Sequence, residues 1–197
     1  LLAVADKNEL TALIDNLGTN SYCGAANNIS NCTLSPTLLN DIYIANGNLI
    51  LTSNYTFPVN KDYVILVNGN LTINGSITVP VGSTATFSVK GDIIVGSSVG
   101  VASLSTTTSI EGFYSTNRNF IINGSNDCNI GADRRLNIGG SIVTNAALLG
   151  GSLQNGRNLC ADNATSPSLQ ITERPDFILN APQFIQSSQT IWREVAP

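Results

Sequence analysis

The chain has no histidine and no methionine, and only 11% of its 197 residues are charged. Without histidine there is no Ser-His or Cys-His dyad to activate a nucleophile, and a zinc site loses its main nitrogen ligand. The charged fraction is well under the usual quarter, and it carries a net charge of −4 with no basic run. Nucleic acid is therefore a poor partner, because neutralising phosphates needs clustered Lys and Arg. No apolar segment approaches the roughly 18 residues needed to span a bilayer. Neither an initiator methionine nor a basic n-region precedes Leu1, as expected of a processed product or an excised fragment whose anchor, if any, lies elsewhere. An Asp-x-Asp-x-Asp loop for an oxygen-only metal site is also missing, and no cofactor is expected. What is present is 42% hydrophobic residues with abundant Asn, Ser, Thr and Gly. That suits one domain with a core and a surface hydrated through neutral side chains.

One unit is written three times between Ala45 and Ile110. Ala45-Asn46-Gly47-Asn48-Leu49, Val67-Asn68-Gly69-Asn70-Leu71 and Val89-Lys90-Gly91-Asp92-Ile93 recur at a constant spacing of 22 residues. Leu51, Ile73 and Val95 share a column, as do Tyr55, Ile77 and Val99, then Phe57, Val79 and Val101. A spacing that returns turn residues and apolar positions in phase marks a stacked repeat, in which each unit buries its apolar row against its neighbours. At roughly 3.3 Å per extended residue, such a circuit is about 70 Å long, enough for three short strands and three corners. The sequence therefore predicts an all-β fold, a single-stranded parallel β-helix of about 22 residues per coil. Leu49-Ile50-Leu51 and Ile77-Thr78-Val79 alternate, one side inward and the other to water. Gly69 and Gly91 are expected to hold positive φ at the corners. Asn48, Asn70 and Asp92 should stack as a polar ladder satisfying corner backbone groups. The rival reading is an antiparallel meander, since Asn-Gly between alternating runs is also a hairpin signal, but hairpins need no fixed phase.

Three segments follow: an N-terminal helical and disulfide cap over 1–44, the solenoid over 45–172 with an insert near 126–135, and a tail over 173–197. Asp6-Lys7-Asn8-Glu9 resembles a capping box, and Leu10, Leu13, Ile14 and Leu17 follow at helical spacing before Gly18. This predicts a short amphipathic helix over Lys7–Leu17, covering the open end of the solenoid or docking on a partner. The cysteines fall into two local couples, Cys23 with Cys32 and Cys128 with Cys160, one of three pairings that four cysteines allow. They are read as disulfides and so as a sign of an oxidising compartment. Asn-x-Ser/Thr triplets begin at Asn28, Asn31, Asn54, Asn70, Asn74, Asn123 and Asn163, candidate glycan acceptors in a secreted protein. A chain this rich in Asn, Ser and Thr also produces them by chance, and Asn70 and Asn74 already have corner roles. The insert, with Cys128, Asp133, Arg134 and Arg135, is expected to loop outward and to carry whatever specificity the chain has. The tail is apolar and aromatic, with Pro175, Phe177, Phe184, Ile191 and Trp192 as candidate assembly residues, packing on its own solenoid as a cap or on a neighbour as a latch.

From Asn46 onward the coils, and above all the ending Arg174-Pro175-Asp176-Phe177…Asn180-Ala181-Pro182…Trp192-Arg193-Glu194-Val195-Ala196-Pro197, resemble exported cell-surface proteins of small-genome candidate bacterial lineages. The ending is the specific part of this likeness, and Arg193 departs from the glutamine usual there. The resemblance implies an extracellular or cell-surface location and supplies no catalytic residues.

A β-helix can also carry polysaccharide lyase or hydrolase chemistry, which needs paired carboxylates, or a carboxylate with a cation, on one external face. The residues on offer are Lys90 with Asp92, Glu111, and Asp133 with Arg134 and Arg135. Asn68 and Asn70 replace Lys90 and Asp92 one coil earlier, as expected of corner residues. The reading is therefore a non-enzymatic structural module of a bacterial surface layer, stalk or filamentous appendage, partnered by itself or by other surface proteins. An adhesin or carbohydrate-binding module, with surface glycans as partner and Phe113, Tyr114 or Trp192 as an aromatic platform, is the alternative. A polysaccharide-degrading enzyme ranks last.

Overall fold

The computed structural model describes residues 21–22, 42–45 and 47–180. The expected helix over Lys7–Leu17, together with Cys23, Cys32, Asn28, Asn31, Phe184, Ile191 and Trp192, lies outside these residues. In chain order the strands are β1 (Ser21–Tyr22), β2 (Ile42–Ala45), β3 (Leu49–Leu51), β4 (Tyr55–Thr56), β5 (Asp62–Val67), β6 (Leu71–Ile73) and β7 (Ile77–Thr78). They continue as β8 (Thr84–Val89), β9 (Ile93–Val95), β10 (Ile110–Thr116), β11 (Phe120–Ile122), β12 (Leu136–Val143), β13 (Leu153–Asn155) and β14 (Leu169–Thr172), and a short helix α1 (Pro175–Leu179) follows.

The strands alternate between two parallel sheets, and the fold is a parallel β-helix. The long face runs β1-β2-β5-β8-β10-β12-β14, the second face β13-β11-β9-β6-β3, and β4 pairs with β7 on a short third face. The 22-residue phase is the pairing register itself: Leu49 lies beside Leu71 and Leu71 beside Ile93, while Ile65 lies between Tyr43 and Phe87. Columns of like residues fill the interior, among them Leu51, Ile73, Val95 and Ile122, all buried. Aromatic rings thread through them. Phe87 stacks on Tyr114 with centroids 5.1 Å apart, and Phe120 meets Tyr114 edge-on at 5.9 Å. Offset stacks and edge contacts of this kind add to what area burial alone gives.

Three findings extend or correct these expectations. First, alternation holds on the second face, where β6 and β9 are buried at both ends and half-exposed between, but β5 and β8 are buried on both sides from Tyr63 to Val67 and from Thr84 to Val89. Asp62-Tyr63-Val64-Ile65-Leu66-Val67 is a nearly continuous apolar run, the pattern of a parallel strand covered on both faces. Second, neither Gly69 nor Gly91 adopts positive φ. Glycine is needed there for close approach: a Cβ on Gly69 would sit 2.6 Å from the Gly47 carbonyl carbon and 2.7 Å from its oxygen. Third, the third copy of the repeat does not complete its third face. The chain leaves the coil at Gly96, Val101 forms an antiparallel bridge with Arg135, and Ile110 rather than Val99 pairs with Ile77. β10 then turns from the third face onto the long face through Gly112, at φ +146°, in register with Gly140 of β12, at φ +133°.

Coil length grows from here while the strand columns stay aligned. Phe87 pairs with Tyr114, 27 residues on, and Tyr114 with Ile142, 28 on. The next step, Leu136 to Leu169, is 33. The extra residues collect at the corner entering the long face, in 96–109 and 123–135, and at the turn 144–152.

Candidate functional site

The polar ladder forms and stitches one corner together. Asn48 Oδ1 accepts the Asn70 N–H at 2.8 Å, Asn70 Oδ1 accepts the Asp92 N–H at 2.9 Å, and Asp92 Oδ1 accepts the Asn119 N–H at 2.9 Å. Asn119 Oδ1 passes the pattern on to the Ser152 N–H at 3.0 Å. Asn54 Oδ1 does the same for the Ser76 N–H at the next corner, at 2.9 Å. Asp92 is thus a rung of a ladder, and Lys90 is exposed beside it.

Where the two inserts meet, they enclose a groove of about 410 Å³ whose lining includes Ser97, Ser98, Asn123, Ser125, Ile130 and Arg134. One wall is the outward loop after Asn126, tied by the disulfide between Cys128 and Cys160, Cα atoms 5.7 Å apart, to the 3-10 turn Cys160–Ala164. Asp133 forms its floor. Its carboxylate accepts the N–H groups of Ser125, Asn126 and Asn158 at 2.8, 3.2 and 2.9 Å and the Ser125 hydroxyl at 3.0 Å. Burial alone would raise this carboxyl, but together the donors hold it below its ordinary value. A carboxylate already accepting four donors is a structural knot, poorly placed to take a proton from a substrate.

Sequence reading missed Arg157. Its side chain is buried and reaches three carbonyls, Nε to Asn123 at 3.1 Å, Nη1 to Arg134 at 2.8 Å and Nη2 to Gly96 at 2.9 Å. Burial, outweighing attraction from Asp133, pushes its pKa down to about 10. The guanidinium clamps the corners of three coils. Its signal was available, since an Arg at the close of Asn155-Gly156-Arg157 breaks a polar corner otherwise built from neutral residues. Arg135, expected on the outward loop, is buried instead, giving Nη1 to the Ser103 carbonyl at 3.1 Å and Nη2 to Gln170 Oε1. Only Arg134 faces the groove with donors to spare: among the described residues its one hydrogen bond is Nη1 to the Ser98 carbonyl at 3.2 Å.

Glu111, the remaining carboxylate singled out, fastens the tail. Because β10 pairs with the third face only at Ile110 and then turns away, the backbone groups of Val79 need other partners. Glu111 Oε2 accepts the Val79 N–H at 2.6 Å, and Arg174 donates to the Val79 carbonyl at 3.3 Å and to Glu111 Oε1 at 2.9 Å. Arg174 also pairs with Asp176 at 2.6 Å and lies 4.3 Å over the Phe177 ring. Phe177 is fully buried, edge-on to Phe113 at 5.4 Å. Arg174-Pro175-Asp176-Phe177 is thus a clasp on the flank of its own solenoid, with Pro175 exposed, and Phe177 is not offered to a partner. Of the other aromatics, Tyr114 is in the core and Phe113 lies under Phe177, so neither forms a sugar platform.

Among the glycan triplets, Asn54, Asn74, Asn123 and Asn163 are exposed. Asn54 is held in its ladder, and Asn163 accepts the Leu159 N–H at 3.1 Å and donates to Asn158 at 2.5 Å. Among the described residues no group of three or more His, Cys, Asp or Glu could hold a metal ion, and no helix is long and apolar enough to cross a membrane.

Comparison with protein-family models, with curated proteins and with solved structures finds no match to this chain. The class is set by the fold alone, a parallel β-helix in which Asp92, Asp133 and Arg157 hold corners and Glu111, Arg174 and Asp176 hold the start of the tail.

Proposed function

We propose that this chain is a non-enzymatic structural module of an extracellular or cell-surface assembly, stacking through the end of its β-helix. One observation carries the reading. The inward columns that are sealed lower down lie open at the last coil: Phe120 and Ile138 are buried, yet Leu153 and Ile171, their partners one rung on, are 43% and 42% exposed. Among the described residues no strand pairs with the outer edges of β13 and β14. An open rung with unpaired edges is a template for another chain, and head-to-tail contacts that do not close build filaments. The disulfide and the resemblance to exported surface proteins support the location. The engagement of Asp92, Glu111 and Asp133 by backbone and side-chain donors supports a role without catalysis.

Light scattering across a concentration series tests it. The full chain should grow in mass with concentration, and Leu153→Lys with Ile171→Lys should leave a folded monomer. A wild-type chain that stays monomeric at millimolar concentration removes the proposal. Ligand binding is the second reading, favoured by the groove.

A further inference from the structure

We propose that the groove beneath the disulfide-tied insert binds a carboxylate-bearing sugar residue, with the Arg134 guanidinium receiving the carboxylate. This goes beyond the assembly reading and stands without it. Three observations converge on the groove. Both inserts that lengthen the coils on this side, 96–109 and 123–135, line it, although the core columns need neither. Residues added to a rigid scaffold without serving its core are where binding surfaces are built. The disulfide and the Arg157 clamp then fix the walls before any ligand arrives, so ordering them costs binding little.

The chemistry of the lining selects the ligand. Asp133 is occupied by its four donors and Arg157 by its three carbonyls, which leaves Arg134 with the unspent charged donors. A guanidinium fork matches a carboxylate in two parallel hydrogen bonds. Around it the hydroxyls of Ser97 and Ser98 and the amide of Asn123 offer donors and acceptors suited to ring hydroxyls, while Ile130, 79% exposed, gives a C–H face something apolar to rest on. A volume of about 410 Å³ is small within the range of ligand sites and suits one or two sugar rings. A long polyanion is disfavoured, because the chain as a whole carries a net charge of −4.

Calorimetry or chemical-shift titration with two matched tetrasaccharides tests this, one alternating glucuronate and N-acetylglucosamine, the other N-acetylglucosamine alone. The charged oligomer should bind, with shifts at Ser97, Asn123 and Ile130, and the neutral one at least about tenfold more weakly, the loss expected for a charge-assisted hydrogen bond. Arg134→Gln should weaken the charged oligomer by the same factor and leave the thermal melt unchanged, and Arg134→Lys should recover part of it. Arg118→Gln, an exposed cation outside the groove lining, should bind as the wild type does. Equal affinity for both oligomers, no binding of either, or full affinity in Arg134→Gln would each overturn the proposal.

Discussion

The first coils and the last coils of this solenoid solve one problem in two ways. Between Gly47 and Val95 each corner repeats after 22 residues, and the side-chain oxygen of one Asn satisfies the backbone of the coil above. Beyond Gly96 that ladder runs on at one corner through Asn119 to Ser152, but the other corners lengthen and are held by single long side chains: Arg157 reaches three carbonyls, Arg135 spans to Ser103, and Arg174 with Glu111 replaces the missing strand beside Val79. The strand columns run through both halves without a slip, because moving one residue would turn every inward side chain outward. Register is held by the strands, and the corners are free to vary.

Among substitutions, removing an arginine clamp should break the second half hardest. Arg157→Ala leaves three carbonyls without their donor, and a loss of about 3 kcal/mol is expected in denaturant melts. Arg118→Ala, in the same half but exposed, should cost almost nothing. Reducing the Cys128–Cys160 disulfide, which closes a loop of 32 residues' separation, should cost a comparable amount, about 3–4 kcal/mol in the chain-entropy picture. In the first half, Gly69→Ala should cost about 1–3 kcal/mol through overpacking against Gly47, although its φ is one that alanine accepts. Cutting one rung of the ladder with Asn70→Ala should cost about 1 kcal/mol, the worth of one hydrogen bond. An Asn70→Ala loss equal to that of Arg157→Ala would erase the distinction between shared and single-point support.

Acid should act on the second half first. The hydrogen bond from Arg174, aided by its charge, holds the Asp176 carboxyl below its ordinary value, and backbone donors do the same for Asp133 against the cost of burial. A carboxyl depressed in the folded state adds stability that is complete above the ordinary value, about 3.9, and fades as pH falls through the lowered one. The clasp and the groove wall should therefore loosen only in strong acid. A melt of Asp176→Asn should show a shallower acid decline than the wild type, and parallel declines would contradict the assignment.

Much of the first half was legible from sequence because repetition averages out accident: three copies in phase gave the fold, the columns and the Asn48, Asn70 and Asp92 ladder together. The glycine mechanism was misread because a turn residue is the same letter whether it supplies positive φ or merely gives room. The long face was missed at β5 and β8 because burial on both sides removes the alternation that announces a strand. In the second half the signals occur once each. That Arg135 turns inward while Arg134 turns outward follows from the bridge between Val101 and Arg135, two segments 34 residues apart, and no local pattern encodes it. Arg174 and Glu111 meet for a reason of the same kind, since their contact depends on a strand being absent.

Hydrogen exchange with and without reductant is the most direct test of strand-held register with independent corners. The account predicts that reduction leaves protection unchanged in β5, β6, β8 and β9 while 123–135 and 153–164 lose theirs. Uniform loss across all coils would contradict it, showing that the corners hold the register after all.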